Sequence, residues 1–203
     1  MATENKYIIQ QCTVADSDEL TRNNISAFWA DPHWNLAWPV DPATGRIVGF
    51  ARWYLPASHS TTADGTPTWP DAMVPAVTPE EEAEIQRNAK TAHWDPNEES
   101  DELLIPIREA KDEILAKKSY MRLDYLAVHP DNQGKGIGTV LVESGMKQAE
   151  EMKLDIFVHA MKAGVGVYKR LGFSIEKEFS QDDTEYGGEG EVDTALMIYR
   201  QKV

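Results

Sequence analysis

The chain has 203 residues, 41% hydrophobic and 27% charged, which suits one folded domain with an elaboration and provides enough apolar mass for a core. A net charge of -14 disfavours nucleic acid as a partner, because phosphate contacts need a basic face, and a single cysteine, Cys12, excludes a disulfide framework or a cysteine-built zinc site. The opening MATENKYIIQQ has no basic segment followed by an apolar one, and no apolar run approaches the roughly 20 residues of a membrane span, so neither a secretory signal nor a membrane partner is expected.

Taken in order, Lys6 to Val14 (KYIIQQCTV) is β-like, and Asp16-Ser17-Asp18-Glu19 offers a cap and first-turn acids for a helix reaching about Trp29. Asp31-Pro32 stops it. The aromatic stretch Trp34 to Val40, the turn Asp41-Pro42-Ala43-Thr44-Gly45 and the strand Arg46 to Leu55 (RIVGFARWYL) together predict a hairpin. Gly49 inside that strand implies a bulge or a close backbone approach.

Residues 56–118 break the rhythm. They begin as a Pro, Ser, Thr and Gly-rich loop, and Thr78-Pro79-Glu80-Glu81 then carries the cap, N1 proline and acidic first turn of a helix. Helices are predicted at about 79–92 and 100–117. The whole stretch is expected to be an insertion, either loosely ordered or a lid over a site. From Tyr120 the pattern turns regular: strand 120–128, helix 136–152, strand 155–160, helix 163–171, strand 173–179 and strand 194–200. Spacing of this kind implies crossovers between parallel neighbouring strands. Gln181 to Glu191 is predicted as an exposed acidic loop. The sequence holds no repeat, and residues 1–203 are expected to form a single α/β domain.

Charge is unevenly divided. Residues 105–177 carry twelve Lys/Arg and ten Asp/Glu, an excess of +2 that leaves -16 on the remainder, largely in 79–102 and 178–193. Those acids solubilise the surface or attract cationic ligands.

The chemistry concentrates in Leu123 to Gly138 (LDYLAVHPDNQGKGIG), a strand, a turn and a glycine-rich loop opening a helix. Unpaired N–H groups and the positive dipole end make such a helix start an anion cradle. The GxxxxGK followed by Ser or Thr of a nucleotide-triphosphate loop is absent. Gly134, Gly136 and Gly138 give GxGxG, which departs from the GxGxxG of dinucleotide folds. Histidines 33, 59, 93, 129 and 159 lack metal-ligand spacing, so no metal is assigned. His159 is read as a core histidine, with a position facing a cleft as the alternative.

Gln133-Gly134-Lys135-Gly136-Ile137-Gly138 resembles the Gln/Arg-x-x-Gly-x-Gly/Ala loop of the GNAT superfamily of N-acetyltransferases, and Tyr168-Lys169-Arg170-Leu171-Gly172-Phe173 resembles that family's Tyr-x-x-x-Gly-Phe signature. The resemblance covers about residues 120–180 and, by element order, 6–55. The AFW and GFARW stretches are similar to fungal members. What it implies is a GNAT fold: a mixed central sheet with splayed fourth and fifth strands, flanking helices and a long insertion. It implies acetyl-CoA as cosubstrate, with Leu126, Ala127 and Val128 along the pantetheine and N–H groups from Gly134 to Thr139, Ile137 among them, on the pyrophosphate. Gln133 would fix the loop or touch phosphate, Lys135 would add charge or stay solvated, and Gly164 would offer main-chain contact although Met161 stands where many relatives carry Asn or Ser. Tyr168 would be the general acid. Asp124 would be the base, or else a structural carboxylate paired with Arg122 or Lys118. The implied acceptor is a primary amine, expected to be a small cationic molecule held between aromatic rings (Trp29, Trp34, Trp38, Trp53, Tyr54, Trp69, Trp94) and carboxylates. A peptide acceptor and a non-catalytic CoA-binding module are the alternatives. The compartment expected is the cytoplasm, with the nucleus open, and monomer or homodimer is undetermined.

Overall fold

The computed structural model describes residue 21 and residues 48–70, 78–91 and 101–201. The strand expected at 6–14, the helix reaching Trp29, the first half of the hairpin, and Trp29, Trp34, Trp38 and Trp94 lie outside these residues. Among the described residues, five strands and four longer helices follow one another. These are β1 (Gly49–Tyr54), α1 (Pro79–Thr91), α2 (Asp101–Leu115), β2 (Tyr120–Val128), α3 (Ile137–Glu151), β3 (Asp155–Met161), α4 (Lys162–Arg170), β4 (Ser174–Asp182) and β5 (Glu191–Tyr199).

The strands form one mixed sheet in the order β1-β2-β3-β5-β4. β1 and β2 are antiparallel, β2 and β3 parallel, and β5 is antiparallel to both of its neighbours. Here the sequence expectation is corrected. β3 and β4 run parallel but are not adjacent, because β5 inserts between them; spacing along the chain sets direction but not sheet order. β4 is the outer strand, and the charged side chains of Glu176, Lys177 and Glu178 guard its exposed edge.

Each face of the sheet is covered. On one, Ile137, Leu141, Val142, Gly145 and Ala149 give α3 a buried stripe at helical spacing. This side gathers Met121, Leu123, Val142, Ile156, Val158, Tyr168, Phe173 and Met197 into the larger core, with Trp53 and Trp69 packed against it. On the other, α2 buries Ile107, Ala110 and Ile114 against Tyr120, Phe157, Leu196 and Ile198. The second helix of the expected insertion therefore forms a layer of the core. By contrast, the described side chains of α1 are all exposed. It is held locally by a capping box in which the Glu81 N–H donates to Thr78 Oγ1 (3.2 Å) and the Thr78 N–H to Glu81 Oε2 (2.7 Å).

The Pro/Ser/Thr segment after β1 is more organised than its composition suggests. Thr61 bridges Pro67, the Thr62 N–H donates to the Thr66 carbonyl (2.8 Å), and hydrogen bonds from Thr62 and Thr66 hold the Asp64 carboxyl at about 2. The acidic loop also shrinks. Gln181, Asp182 and Glu191 pair within β4 and β5, which leaves 183–190 as the connection.

Gly145 and Gly49 explain how the layers approach so closely. A Cβ on Gly145 would lie 2.2 Å from Trp53 Cζ2, so the indole of β1 rests directly on the α3 backbone. A Cβ on Gly49 would meet the Ala127 carbonyl oxygen at 2.9 Å and Ile137 Cγ2 at 3.1 Å. Of the two alternatives for Gly49, close approach is the one found. The bulge lies three residues on.

Candidate active site

The site begins where β2 and β3 part. Their parallel pairing runs from Tyr120↔Asp155 to Leu123↔Val158 and then stops, although β2 continues to Val128 and β3 to Met161. β2 keeps its other neighbour throughout, from Tyr54↔Arg122 to Gly49↔Val128. Past Leu123, the edge of β2 that faced β3 has no strand partner from β3 and borders a wedge-shaped opening. Backbone groups on such an edge accept an extended, amide-bearing ligand as they would another strand.

A register shift falls at the root of this opening. Arg52 pairs Tyr125 and Trp53 pairs Leu123, so Asp124 is the extra residue of a β-bulge. Side-chain alternation is thereby reset: Met121 and Leu123 face α3, and so do Leu126 and Val128, whose methyls lie near Gly138. Asp124 leaves that alternation. Its Oδ2 accepts from Arg52 Nε (2.7 Å) and from the neighbouring Arg52 Nη2. The partner is neither Arg122 nor Lys118, as expected; Lys118 instead pairs with the buried Asp155, which also accepts from the Gln201 N–H (2.9 Å). Arg52 in turn stacks 4.4 Å over the Tyr125 ring.

The glycine loop closes one end of the opening. After β2 the chain passes through a single 3-10 turn, Pro130–Asn132, and reaches α3 through Gly136, its N-cap. Gly134 (φ 72°) and Gly136 (φ 82°) are left-handed, a conformation costly for any residue with a Cβ, and nothing lies within 4 Å of where that Cβ would be. No side chain caps α3. The N–H groups of Ile137, Gly138 and Thr139 thus stand at a helix start without a side-chain acceptor, beside open space, where a phosphate fits. Only the main chain of Ile137 is free for this, since its side chain is 4% exposed in the core. Lys135 is turned away: its Nζ donates to the Asp131 carbonyl (2.6 Å) and Asn132 Oδ1 (3.0 Å), bracing the turn. Gln133 also braces the loop, donating to the Val128 carbonyl (3.4 Å).

Tyr168 comes from α4, on the same side of the sheet as α3. Its ring is 4% exposed, sits 5.4 Å from that of Phe173, and burial raises its pKa far above the ordinary 10. The rest of the motif holds it there. Gly172 ends the helix, and the Phe173 N–H donates to the Tyr168 carbonyl (3.0 Å). Gly164 packs beneath the ring, where a Cβ would meet Tyr168 Cε2 at 3.0 Å. This is a packing contact that spacing alone does not reveal.

His159 departs from expectation. It is exposed, not core, and lies on β3 one residue past the last pairing with β2. Burial of the ring, then the charge of Lys111, hold its pKa below the ordinary 6.5, although more than a third of the residue is open to solvent. Sequence reasoning undervalued it because nothing local marks where the strands part. Among the described residues, no group of three or more His, Cys, Asp or Glu is placed to hold a metal ion, and no helix is long and apolar enough to cross a membrane.

A family model described as an acetyltransferase (GNAT) domain matches residues 74–185, more than half of the chain. The chain belongs to the GNAT acetyltransferase family. Its five-strand mixed sheet and flanking helices match solved GNAT folds. These include an agmatine N-acetyltransferase (15% identity, TM-score 0.57, 95% of this chain and 99% of that one) and a polyamine N-acetyltransferase from Drosophila melanogaster (15% identity, TM-score 0.56, 96% and 99%). At that identity the likeness speaks to fold alone. In sequence, 65 residues are 35% identical to the peptidyl-lysine N-acetyltransferase YjaB of Escherichia coli, covering 32% of this chain and 44% of that one. A stretch of 64 residues is 31% identical to the L-methionine sulfoximine/L-methionine sulfone acetyltransferase of Pseudomonas aeruginosa, covering 30% and 37%. The matches thus span less than half the length of these relatives.

Proposed function

We propose that the protein is an acetyl-CoA-dependent N-acetyltransferase that acetylates the primary amine of a small molecule by direct attack in a ternary complex. The observation that carries this reading is the opening between β2 and β3 after Leu123↔Val158, with the uncapped, glycine-lined start of α3 at its mouth. Acetyl-CoA fits this arrangement, its pyrophosphate on the N–H groups from Gly134 to Thr139 and its pantetheine along Leu126, Ala127 and Val128. When bound it supplies an acetyl group activated as a thioester.

The side chains are apportioned as the reaction requires. The glycine loop and Tyr168 belong to the α3 side of the sheet, whereas Arg52, and Asp124 with it, belong to the α2 side. In a ternary complex the amine approaches from the face the cofactor leaves free, which is the α2 side. As the new N–C bond forms, Asp124 accepts the ammonium proton directly or through water; its Oδ2 is taken by Arg52, which leaves Oδ1 for this task. As the C–S bond breaks, Tyr168 donates a hydrogen bond to the departing sulfur. A phenol raised by burial stays protonated at neutral pH, and full transfer to a thiolate of ordinary pKa about 8.5 requires that the same dry cleft raise the thiolate too.

Of the rings expected to line the acceptor site, Trp53 and Trp69 pack against the core instead. Tyr54 is 41% exposed but lies beneath Arg122 (5.3 Å) and Arg52 (5.7 Å). A cationic acceptor like those named for the polyamine and agmatine enzymes would have to displace these guanidinium groups. The experiment is a thiol-release assay with acetyl-CoA across small amines, amino acids and N-terminal peptides. Turnover of small amines is the expected result. Turnover of peptides alone defeats the small-molecule assignment, and tight acetyl-CoA binding without turnover defeats catalysis.

A further inference from the structure

The α2 side of the opening has a charge opposite to that of the chain. β-register sets the rows: Tyr54, Arg122 and Phe157 lie across from one another, and the next row holds Arg52, Tyr125 and the bulged Asp124, with His159 two residues beyond Phe157 on the same side of β3. Lys111 of α2 is close enough to His159 to act on its protonation. Asp124 is the one carboxylate in these rows, and Arg52 already neutralises it. Arg122 and Lys111 are each half-buried and, among the described residues, have no carboxylate within ion-pair distance; Arg122 rests on the face of Tyr54 alone.

Two half-buried cations with no carboxylate partner among the described residues, in a chain of net charge -14, are costly unless something anionic meets them. They stand on the face from which the amine must approach. A planar guanidinium matches a carboxylate with two parallel N–H···O bonds, which a point-like ammonium cannot do. We propose that the acceptor is an amine that also bears a carboxylate, an amino-acid-like molecule, and that Arg122 selects it by pairing with that carboxylate, with Lys111 adding charge across the opening. The cationic amine expected from composition is then the wrong class. The acid that dominates the total charge lies elsewhere in the chain, and the described rows of the acceptor face are basic.

This inference rests on the acetyltransferase reading, and its test separates the two. The full-length protein is assayed with acetyl-CoA on matched acceptors, each an L-amino acid and the amine left when its carboxylate is removed: phenylalanine and phenethylamine, tyrosine and tyramine, arginine and agmatine. For at least one pair the acid should exceed its amine in kcat/KM by about tenfold or more, as expected when a site is built to bind a polar group. In Arg122→Gln that ratio should fall toward unity, mainly through a higher KM for the acid, and Arg122→Lys should restore part of it. Calorimetric binding of acetyl-CoA by each variant verifies that the cofactor site is intact. Faster turnover of every amine than of its acid, or a ratio unmoved in both variants, overturns this inference and leaves the acetyltransferase reading standing. Acetyl-CoA binding without turnover of any member rules out the amino-acid class. Absence of acetyl-CoA binding in the wild type removes both.

Discussion

Replacing Gly136 by alanine separates a cofactor cradle from an ordinary tight turn. At φ 82° a side chain strains the backbone, and about 1–2 kcal/mol is the usual cost for an L-residue in that region. No atom lies within 4 Å of the new methyl, so no packing penalty is added. For a chain of this size, that strain lowers the melting temperature by about 2–8 °C. Gly187 is the control: it has φ 88°, equally open surroundings, and a place in the 183–190 connection. Gly187→Ala should therefore melt like Gly136→Ala. The two should differ in acetyl-CoA affinity. The Gly136 methyl would occupy the space where main-chain N–H groups meet phosphate, and a loss of at least about tenfold is expected, equivalent to about 1.4 kcal/mol, whereas Gly187→Ala should bind as wild type. Thermal unfolding and titration calorimetry on the three proteins measure both quantities. If Gly136→Ala melts like Gly187→Ala yet keeps wild-type affinity, the loop is a turn and the cradle assignment is refuted.

Tyr168→Phe should lower turnover by about 10²–10⁴ and leave acetyl-CoA affinity within about twofold, since a general acid acts on the departing sulfur and not on binding; unchanged turnover removes Tyr168 from that role. Gly145→Val should force the Trp53 indole off α3, costing about 1–3 kcal/mol of overpacking and about 2–12 °C in melting temperature, with a shifted tryptophan emission; an unchanged melt contradicts the close packing. His159 has a folded pKa below its unfolded 6.5, so the unfolded state binds more protons and stability falls as pH drops through that range. Melting temperature should accordingly fall less for His159→Gln than for wild type between about pH 7 and about pH 5, and equal falls would dismiss His159 as the titrating group.

The elements from Tyr120 onward were legible in the sequence, because each rests on a local signal. The strand YMRLDYLAV is apolar at seven of its nine positions, and the Thr78 cap before α1 and the buried stripes of α2 and α3 carry equally local helix signals. The glycine loop was legible for the same reason: positions 134 and 136 take a backbone conformation that demands glycine. What escaped notice depends on pairs far apart in the chain. The insertion of β5 between β3 and β4 and the Asp124–Arg52 pair, 72 residues apart, leave no mark in any short window. Neither does the seat of Trp53 on Gly145. The packing of α2 into the core was not legible because an amphipathic helix does not say which surface it covers. Likewise, carboxylates that are near in sequence do not report the local sign of charge at the opening, on which the proposed acceptor class turns.

In the proposed complex acetyl-CoA lies between β2 and β3 with its pyrophosphate on the start of α3. Backbone amide shifts of the isotopically labelled protein, recorded during an acetyl-CoA titration, test it most directly. The largest changes should fall on Gly134 to Thr139 and on the strand edge at Leu126 and Val128, with β4 unmoved. Saturable binding that leaves these amides unchanged would contradict it.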